Sequence, residues 1–353
     1  MSFREKASLQ RRLPRRWLHG RQYGLGMVEL IIAMTIGLLI SASVLTVYVS
    51  ASRNFAMDER YARMQENARY SLRVLSEDLM MADFWGQLLS TDIIATNLAV
   101  TSADCGESLA LFNADNAFLY NNNHDGSASA HFTPCSTISA ARQGNSDVVV
   151  IKRVEGAPTA STFVDAADSD GDGDTSETLS TGSSALQSGT VYLRTNGTAG
   201  SLINDASSSN MPATGWSDWR YIPRAYFVRN WFNAAGDGVP ALCRLDIDDT
   251  DLDSLSCLAE GVEDLHLEFG LDTDTDGDAN RYTAMPSPAE METVISVRVH
   301  LLVRSTDTVP FYTNTKSYLL GGEVVAAAND GFLRNVFTTT VALRNSASRN
   351  LFN

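Results

Sequence analysis

A single apolar run near the N-terminus constrains this chain more than any other feature. Between Leu25 and Val49 the only charged residue is Glu29, and most of the other residues are aliphatic, small or hydroxyl-bearing. A helix of these 25 residues, rising about 1.5 Å per residue, can cross a hydrocarbon core of roughly 30 Å. The run therefore predicts a transmembrane helix.

The segment before this run is basic. Its 24 residues contain seven Arg or Lys and one acid, and by the positive-inside rule this end stays in the cytoplasm while the chain after Val49 is exported. Because the whole chain has a net charge of −15 and the first 24 residues carry +6, the remainder carries −21. Such acidity argues against nucleic-acid binding, which needs clustered Lys and Arg, and it favours bound divalent cations.

Two features separate this segment from an ordinary signal peptide or anchor. No small-residue cleavage site follows the apolar run. Glu29 lies inside the membrane segment, where a charge costs at least about 2.5 kcal/mol and needs a partner. A basic leader ending in Gly24, followed by an apolar helix with Glu at its fifth position, resembles the class III signal of type IV prepilins and type II secretion pseudopilins.

This resemblance implies how the N-terminus is processed. A prepilin peptidase would cut between Gly24 and Leu25 and methylate the new N-terminus of Leu25. Glu29 would then pair with the N-terminal amine of a neighbouring subunit and set the axial register of a filament. Leu25 stands where Phe is usual and Gly26 where a hydroxyl residue is usual, and a cut after Gly26 would place Glu29 third. The alternative interpretation is a plain single-span anchor.

An amphipathic helix is predicted to continue from residue 50 to residue 86. Apolar residues recur there at steps of three and four, with charged residues, Asp78 among them, between these positions. The apolar stripe comprises Met57, Tyr61, Met64, Ala68, Leu72, Leu75 and Leu79. Neither Pro nor Gly occurs from Ser50 to Trp85, so one helix of about 60 residues is expected, ending at Gly86.

The amino-acid sequences of two regions resemble those of the PilW family of minor type IV pilins. Residues 63–86 contain Gln-Glu-Asn-Ala-Arg, an acidic-Leu step and an aromatic-Gly ending. Near the C-terminus the family's motifs resemble Gly-Val-Glu-Asp-Leu at 261–265, the strand ending in Leu-Leu-Val-Arg-Ser305, and Phe-Thr-Thr-Thr-Val-Ala-Leu-Arg-Asn at 337–345. Residues 87–240 resemble no family.

The resemblance implies a structural protein rather than an enzyme. Its expected location is the inner membrane, with one span and a periplasmic C-terminal domain, and afterwards the pilus at the cell surface. Expected partners are other minor and major pilins, the prepilin peptidase and the inner-membrane assembly machinery. Such a protein would prime pilus assembly or lie at the pilus tip, in support of twitching motility and adhesion.

After residue 86 the chain changes to short strands and polar loops. Residues 87–353 are therefore expected to form a β-rich globular domain, in an α+β fold whose mostly antiparallel sheet packs on the helix stripe. Apolar or alternating runs predict strands at 147–154, 191–194, 226–232, 242–246, 261–270, 294–304 and 333–345. The aromatic residues between 216 and 232 are interpreted as core packing, with a binding face as the alternative.

Four cysteines follow the membrane segment, and an even number in an exported chain suggests disulfides. Three connectivities are open. The pairs Cys105–Cys135 and Cys243–Cys257 are favoured because each closes a local loop. Free buried thiols are the alternative, and no Cys-x-x-Cys spacing points to zinc.

Two acidic loops could bind calcium. Each has Asp at positions 1, 3 and 5 and Gly at position 6, as in the first half of a calcium loop, but neither has an acid at position 12. The candidate ligands are Asp168, Asp170, Asp172 and Asp174 in one loop and Asp272, Asp274, Asp276 and Asp278 in the other. The alternative is a solvated turn, and no cofactor is required by the pilin interpretation.

Motifs typical of hydrolases, metalloproteases and P-loop enzymes do not occur in the sequence. The five histidines show no ligand spacing and are expected to be scattered on the surface. Two functional alternatives remain. One is a J-like minor pseudopilin of a type II secretion system, and the other is a membrane-tethered, calcium-dependent adhesin or hydrolase.

Overall fold

The computed structural model describes residues 24, 26–88, 93–96, 118–124, 138, 143–164, 178–182, 187, 190–203, 215–246 and 254–346. The chain divides into two compact units, residues 1–56 and 57–353, which are considered separately. The fold is α+β, with a long N-terminal helix followed by strands that are paired mostly antiparallel, as the sequence predicts.

Helix α1 spans Met27–Met81 and contains 55 residues. In the first unit its side chains are exposed on every side. The hydroxyls of Thr35, Ser43 and Thr46 donate to carbonyl oxygens three or four residues earlier, at 2.7–2.9 Å. These polar groups are therefore satisfied within the helix, which is the condition for placing them in hydrocarbon.

The part of α1 in the second unit buries one stripe. Met64, Ala68, Leu75 and Leu79 are at most 2% exposed, whereas Tyr61 is 39% exposed, so the buried stripe begins at Met64, about two turns after the predicted start at Met57. The helix ends at Met81 rather than near Trp85.

The early end of α1 has a visible cause in the backbone. Asp83 has a φ of 63°, in the left-handed region, which stops the helical hydrogen-bond pattern. Its carboxylate is held by Trp85 Nε1 and Ser346 Oγ, at 2.9 and 3.2 Å. A local sequence pattern cannot reveal this stop, because Ser346 lies at the other end of the chain.

The structure contains 17 strands in the described residues. They are β1 Ile94–Thr96, β2 Phe118–His124, β3 Ser146–Ile151, β4 Ala160–Val164, β5 Thr178–Gly182, β6 Tyr192–Thr195, β7 Gly200–Ile203, β8 Ser217–Arg220, β9 Arg224–Arg229, β10 Ala241–Asp246, β11 Ser254–Glu260, β12 Val262–Leu271, β13 Arg281–Thr283, β14 Val294–Arg304, β15 Tyr318–Leu320, β16 Glu323–Val325 and β17 Arg334–Ala342. A short 3-10 turn, Glu290–Thr293, precedes β14.

The strands form four sheets. Their orders are β1-β7-β6-β8-β4-β5, β11-β10-β9-β3-β2, β13-β12-β14-β17 and β15-β16. Among the described strands, only β1 and β7 pair in parallel. The strand predicted at 294–304 matches β14 at both ends, while β9 begins and ends earlier than the predicted strand at 226–232.

Two apolar cores lie on opposite faces of the five-stranded sheet. Side chains of β3 alternate between them: Val149 and Ile151 join the core shared with α1, β12 and β14, and Val148 and Val150 join the other. Most of the aromatic stretch predicted as packing is buried, including Trp219 on the second core. The helix stripe and the C-terminal sheet thus share one core.

One disulfide joins neighbouring strands of the five-stranded sheet. Cys243 on β10 and Cys257 on β11 are bonded and lie opposite each other in the strand register, as the favoured pairing expects. Cys105 and Cys135 lie outside the described residues, so their pairing stays a prediction.

Candidate functional site

Glu29 lies in the first turn of α1, where its carboxylate turns back towards the chain entering the helix. Its Oε2 accepts a hydrogen bond of 3.2 Å from the backbone N–H of Gly26. The helix N-terminus carries partial positive charge, so an acid is favourable at this position. Gly24 is exposed. Residues 1–23 and Leu25 lie outside the described residues.

The apolar part of α1 is exposed over its full circumference. Within the described residues, this is one helix that is long and apolar enough to cross a membrane, with a mean hydropathy of 2.4 over its most apolar window and none of that window buried in the protein. Exposed side chains include Leu38 at 71%, Leu39 at 69% and Val47 at 69%. Surfaces of this extent require a lipid or protein environment.

The acidic loop between β12 and β13 brings three of its four predicted ligands together. Carboxylate oxygens of Asp272, Asp274 and Asp276 lie within 4.8 Å of one another. Asp278 does not belong to this group; its backbone N–H donates to Asp276 Oδ1 at 2.8 Å. The other acidic loop, with Asp168, Asp170, Asp172 and Asp174, lies outside the described residues.

Hydrogen bonds from the backbone shape this loop. Asp272 is 5% exposed, and its two oxygens accept from the N–H groups of Thr275 and Gly277 at 2.7 and 2.9 Å. Burial alone would raise the pKa of Asp272, but these bonds outweigh it and lower the pKa. Asp272 therefore stays ionised at neutral pH, as a cation ligand must.

A buried acid on α1 was missed by the sequence analysis, which places Asp78 among the charged residues between the apolar positions. Asp78 is 4% exposed. Two arginines, one just after β3 and one on β9, donate hydrogen bonds to its carboxylate. Arg153 Nη2 and Arg224 Nη1 each lie 2.8 Å from its Oδ1, and the hydroxyl of Tyr226 donates to Oδ2. The network attaches the helix to the five-stranded sheet.

The partners of Asp78 keep its carboxylate ionised. Burial alone would raise the pKa of Asp78, but the hydrogen bond from Tyr226 and the charges of Arg224 and Arg153 outweigh burial and lower it. Burial and the Asp78 charge together raise the pKa of Tyr226. The only sequence signal for this network is an acid three residues from Leu75 on the buried side of the helix, at the spacing of neighbours on one helix face.

Side chains of β3 join the two sheets that flank the shared core. Asp147 is fully buried and accepts from the Leu267 N–H at 2.7 Å, the Tyr120 hydroxyl at 2.6 Å and the Asn123 N–H at 2.9 Å. Ser146 Oγ accepts from the Leu265 N–H at 3.0 Å. Strand β13 pairs only with the last three residues of β12, so these side chains satisfy part of the β12 edge that β13 leaves uncovered.

The expectation of surface histidines is wrong for the two on the C-terminal sheet. His266 and His300 are 3% and 6% exposed, and they lie opposite each other on β12 and β14. The sequence places His266 on the less apolar face of its strand, but the β15–β16 hairpin and the β2–β3 strands contribute groups on that side, including Glu323 and Asp147. Strand alternation alone does not show that a face is covered by a later hairpin.

Residues 225–345 match the family model described as Type IV Pilus-assembly protein W. None of the curated proteins matches the chain.

Among solved structures, a type IV-like pilin from Thermus thermophilus is similar at 12% sequence identity and a TM-score of 0.31, over 80% of this chain and 98% of that one. The matched region runs from β9 beyond β17 and contains all three C-terminal motifs of the PilW resemblance. The helix motifs at 63–86 lie outside this region. Residues 225–345 are thus similar to the PilW family of type IV pilus-assembly proteins.

Proposed function

We propose that this chain is a minor type IV pilin that is processed by prepilin peptidase, held in the inner membrane and built into a pilus. One observation carries the proposal: an exposed apolar helix with a single acid in its first turn precedes a β-rich region of the PilW family. Its role is structural, in priming pilus assembly or at the pilus tip.

The first step is release of the leader between Gly24 and Leu25, followed by methylation of Leu25. Gly24 is exposed and precedes the helix, and a Cβ at this position would meet no atom of the described residues within 4 Å. The exposure of Gly24 supports access of a peptidase to this bond. The new amine would lie four residues before Glu29, near the N–H of Gly26 that Glu29 already contacts.

The second step is pairing of that amine with Glu29, either within one subunit or between neighbours. In a low-dielectric environment an unpaired carboxylate is costly, and an adjacent ammonium compensates for it. A subunit whose Glu29 finds the amine of its neighbour is fixed in axial register. The acid thereby selects one position along an otherwise uniform apolar surface.

The third step is transfer of α1 from the bilayer to the filament. The side chains of Leu38, Leu39 and Val47 are exposed on the helix. Burying them against helices of other pilins exchanges one apolar environment for another, so extraction from lipid requires no exposure to water. The β-rich region would remain outside the helical core and contact other minor or major pilins.

Replacing Glu29 by Ala tests this mechanism. We expect the variant to insert in the membrane and lose its leader normally, but to be depleted in sheared pili by about tenfold or more, which corresponds to roughly 1.4 kcal/mol of lost pairing. Glu59→Ala is the matched control, because Glu59 is an exposed helix acid paired with Arg63 at the surface. Equal amounts of both variants in pili would refute the pairing.

A type II secretion pseudopilin would share the processing but not the destination. It would be absent from pili sheared from cells that express the chain at its natural level, and its loss would abolish secretion rather than piliation. A tethered adhesin would retain its N-terminal arginines. Abundance in sheared pili therefore separates the proposal from both alternatives.

We further propose that the loop with Asp272, Asp274 and Asp276 binds Ca²⁺, because their carboxylates already converge within 4.8 Å. Terbium luminescence, displaced by calcium, measures this directly on the full chain in detergent. Asp274→Asn should abolish the signal, whereas Asp278→Asn should retain it because Asp278 lies outside the convergent group. Equal signals from the two variants would contradict the site.

A further inference from the structure

A buried imidazole on β12 faces two carboxylates from other parts of the fold. His266 Nδ1 lies 3.4 Å from Asp147 Oδ2 and 3.5 Å from Glu323 Oε2. Neither ring nitrogen makes a hydrogen bond to any group in the described part of the chain. A neutral buried imidazole without hydrogen bonds is costly, whereas a charged one between two carboxylates is compensated by both.

Three elements meet at this imidazole, and their carboxylates differ in freedom. Asp147 on β3 is fully buried and fixed by hydrogen bonds from the sheet. Glu323 on β16 has a side chain that is 37% exposed, and its Oε2 accepts from Asn123 Nδ2 at 2.7 Å. Only Glu323 can move into solvent without uncovering the core.

The charged groups near His266 on β12 and β14 also contact one another. His300 on β14 contacts Glu268 Oε2 and Thr338 Oγ1 at 3.0 Å each, and Arg298 lies 3.3 Å from Glu268. The His266 and His300 rings are 6.2 Å apart. The titratable or charged groups around His266 are Tyr120, Asp147, Asp264, Glu268, Arg298, His300 and Glu323.

The β15–β16 hairpin, residues 318–325, is held to the rest of the protein by a small contact. Leu320 is buried, but Leu319 and Val324 are 62% and 67% exposed. Gly321 has a φ of +60° and seats against Glu268, since a Cβ there would lie 2.6 Å from Glu268 Cδ. With one buried apolar side chain, docking of the hairpin depends on its polar contacts.

We propose that His266 is a pH-dependent latch that holds the β15–β16 hairpin against the C-terminal sheet through Glu323. When His266 is charged, it attracts Glu323 on the hairpin and Asp147 in the core together. When His266 loses its proton, Glu323 faces Asp147 and Asp264 without an intervening cation, and the exposed Glu323 leaves with the hairpin. The latch is distinct from the assembly role of α1.

The direction of the switch follows from the protonation equilibria. Burial alone would lower the pKa of His266, but the contacts with Asp147 and the charges of Glu323 and Asp264 outweigh burial and raise it above 6.5. The stabilising contribution of the charged ring is therefore complete below pH 6.5 and is lost as the pH rises through the higher folded-state value.

Asp264 reinforces the effect. Burial, together with the charges of Asp147 and Glu323, raises the pKa of Asp264 to about 8. Because the pKa of Asp264 rises from 3.8 to about 8 on folding, its contribution to stability is complete below pH 3.8 and is lost as the pH rises to about 8. A further negative charge thus develops beside Glu323 in the alkaline range, and both titrations open the latch as the pH rises.

Amide hydrogen exchange on the full chain in detergent tests the latch. After correction for the intrinsic pH dependence of exchange, we expect protection of residues 319–325 to fall by about tenfold or more between about pH 6 and pH 8.5. Protection of β14 should change little over this range. Equal protection of the hairpin at both pH values would overturn the proposal.

Two variants separate the latch from a general effect of pH. Glu323→Gln keeps an oxygen that can accept from Asn123 but removes the charge, so its hairpin protection should be independent of pH over this range. Glu292→Gln, which removes an exposed carboxylate outside the cluster, should keep the wild-type dependence. A Glu323→Gln protein with the wild-type dependence would also overturn the proposal.

Discussion

Arg224 on β9 lies 2.8 Å from the buried carboxylate of Asp78 on α1, and the same guanidinium lies 2.6 Å from Asp246 on β10. This bridge connects residues 146 positions apart in sequence and holds the helix against the sheet. Because the two acids share the arginine and Asp78 also receives Arg153, the helix is attached by a network rather than by a single ion pair. The long helix is thus anchored to the β-rich region by charge as well as by its apolar stripe.

Replacing Asp78 by Ala should destabilise the folded protein by about 3–5 kcal/mol, because it leaves Arg153 and Arg224 buried without their common partner. Urea unfolding of the full chain in detergent measures the loss. Glu77→Ala is the control at the adjacent position, where the acid is exposed and paired with Arg73, and it should cost no more than about 0.5 kcal/mol. Similar losses in both variants would show that the network contributes nothing.

The contribution of Asp78 should disappear in acid. Its pKa is lowered from 3.8 by the hydrogen bond from Tyr226 and by the two arginines, which outweigh burial. A lowered carboxyl pKa stabilises the fold above the ordinary value and loses this effect as the pH falls through the folded-state value. The stability difference between wild type and Asp78→Ala should therefore be constant from pH 5 to 7 and shrink below about pH 4. A difference that stays constant to pH 2 would contradict this assignment.

Gly86→Ala should destabilise the protein more than Gly215→Ala. Both glycines have a positive φ, +63° and +76°, so each substitution carries the strain of about 1–2 kcal/mol that L-residues have in this region. A Cβ at Gly86 would in addition lie 2.8 Å from Trp219 Cε2, whereas a Cβ at Gly215 would meet no atom of the described part of the chain within 4 Å. We expect Gly86→Ala to cost about 1–3 kcal/mol more by urea unfolding. Equal losses of unfolding free energy in the two variants would mean that Trp219 moves aside without an energetic penalty.

Local pattern sufficed to predict some parts of this fold. Seven of the 11 residues of β14 are Val, Ile or Leu, and the predicted and observed bounds of this strand coincide. The buried stripe of α1 follows the predicted spacing from Met64 to Leu79. In both cases the pattern that determines burial lies within a single element.

Features that depend on distant residues were not predicted. In the sequence, Asp78 has the same context as the other charged residues of the helix. Its ion pairs are with Arg153 and Arg224, which lie far along the chain. His266 resembles a surface residue until β3 and β16 are placed beside it.

Some of the candidate functional residues were predictable from local spacing, and others were not. Spacing places Glu29 in the first turn of the helix and brings Asp272, Asp274 and Asp276 together. Alternation of acids along the loop also suggests Asp278, but the turn at Thr275 and Gly277, both with positive φ, directs the chain so that Asp278 is not in the group.

Assembly as proposed requires a mature protein that begins at Leu25 with a methylated amine available to Glu29. Mass spectrometry of the protein recovered from sheared pili measures this N-terminus directly. We predict a terminal peptide that starts at N-methylated Leu25 in the wild type, and an uncut leader in Gly24→Glu, which places a bulky charge at the cleavage site. A protein in pili that retains its arginine-rich leader, or begins at any residue other than Leu25, would contradict the account.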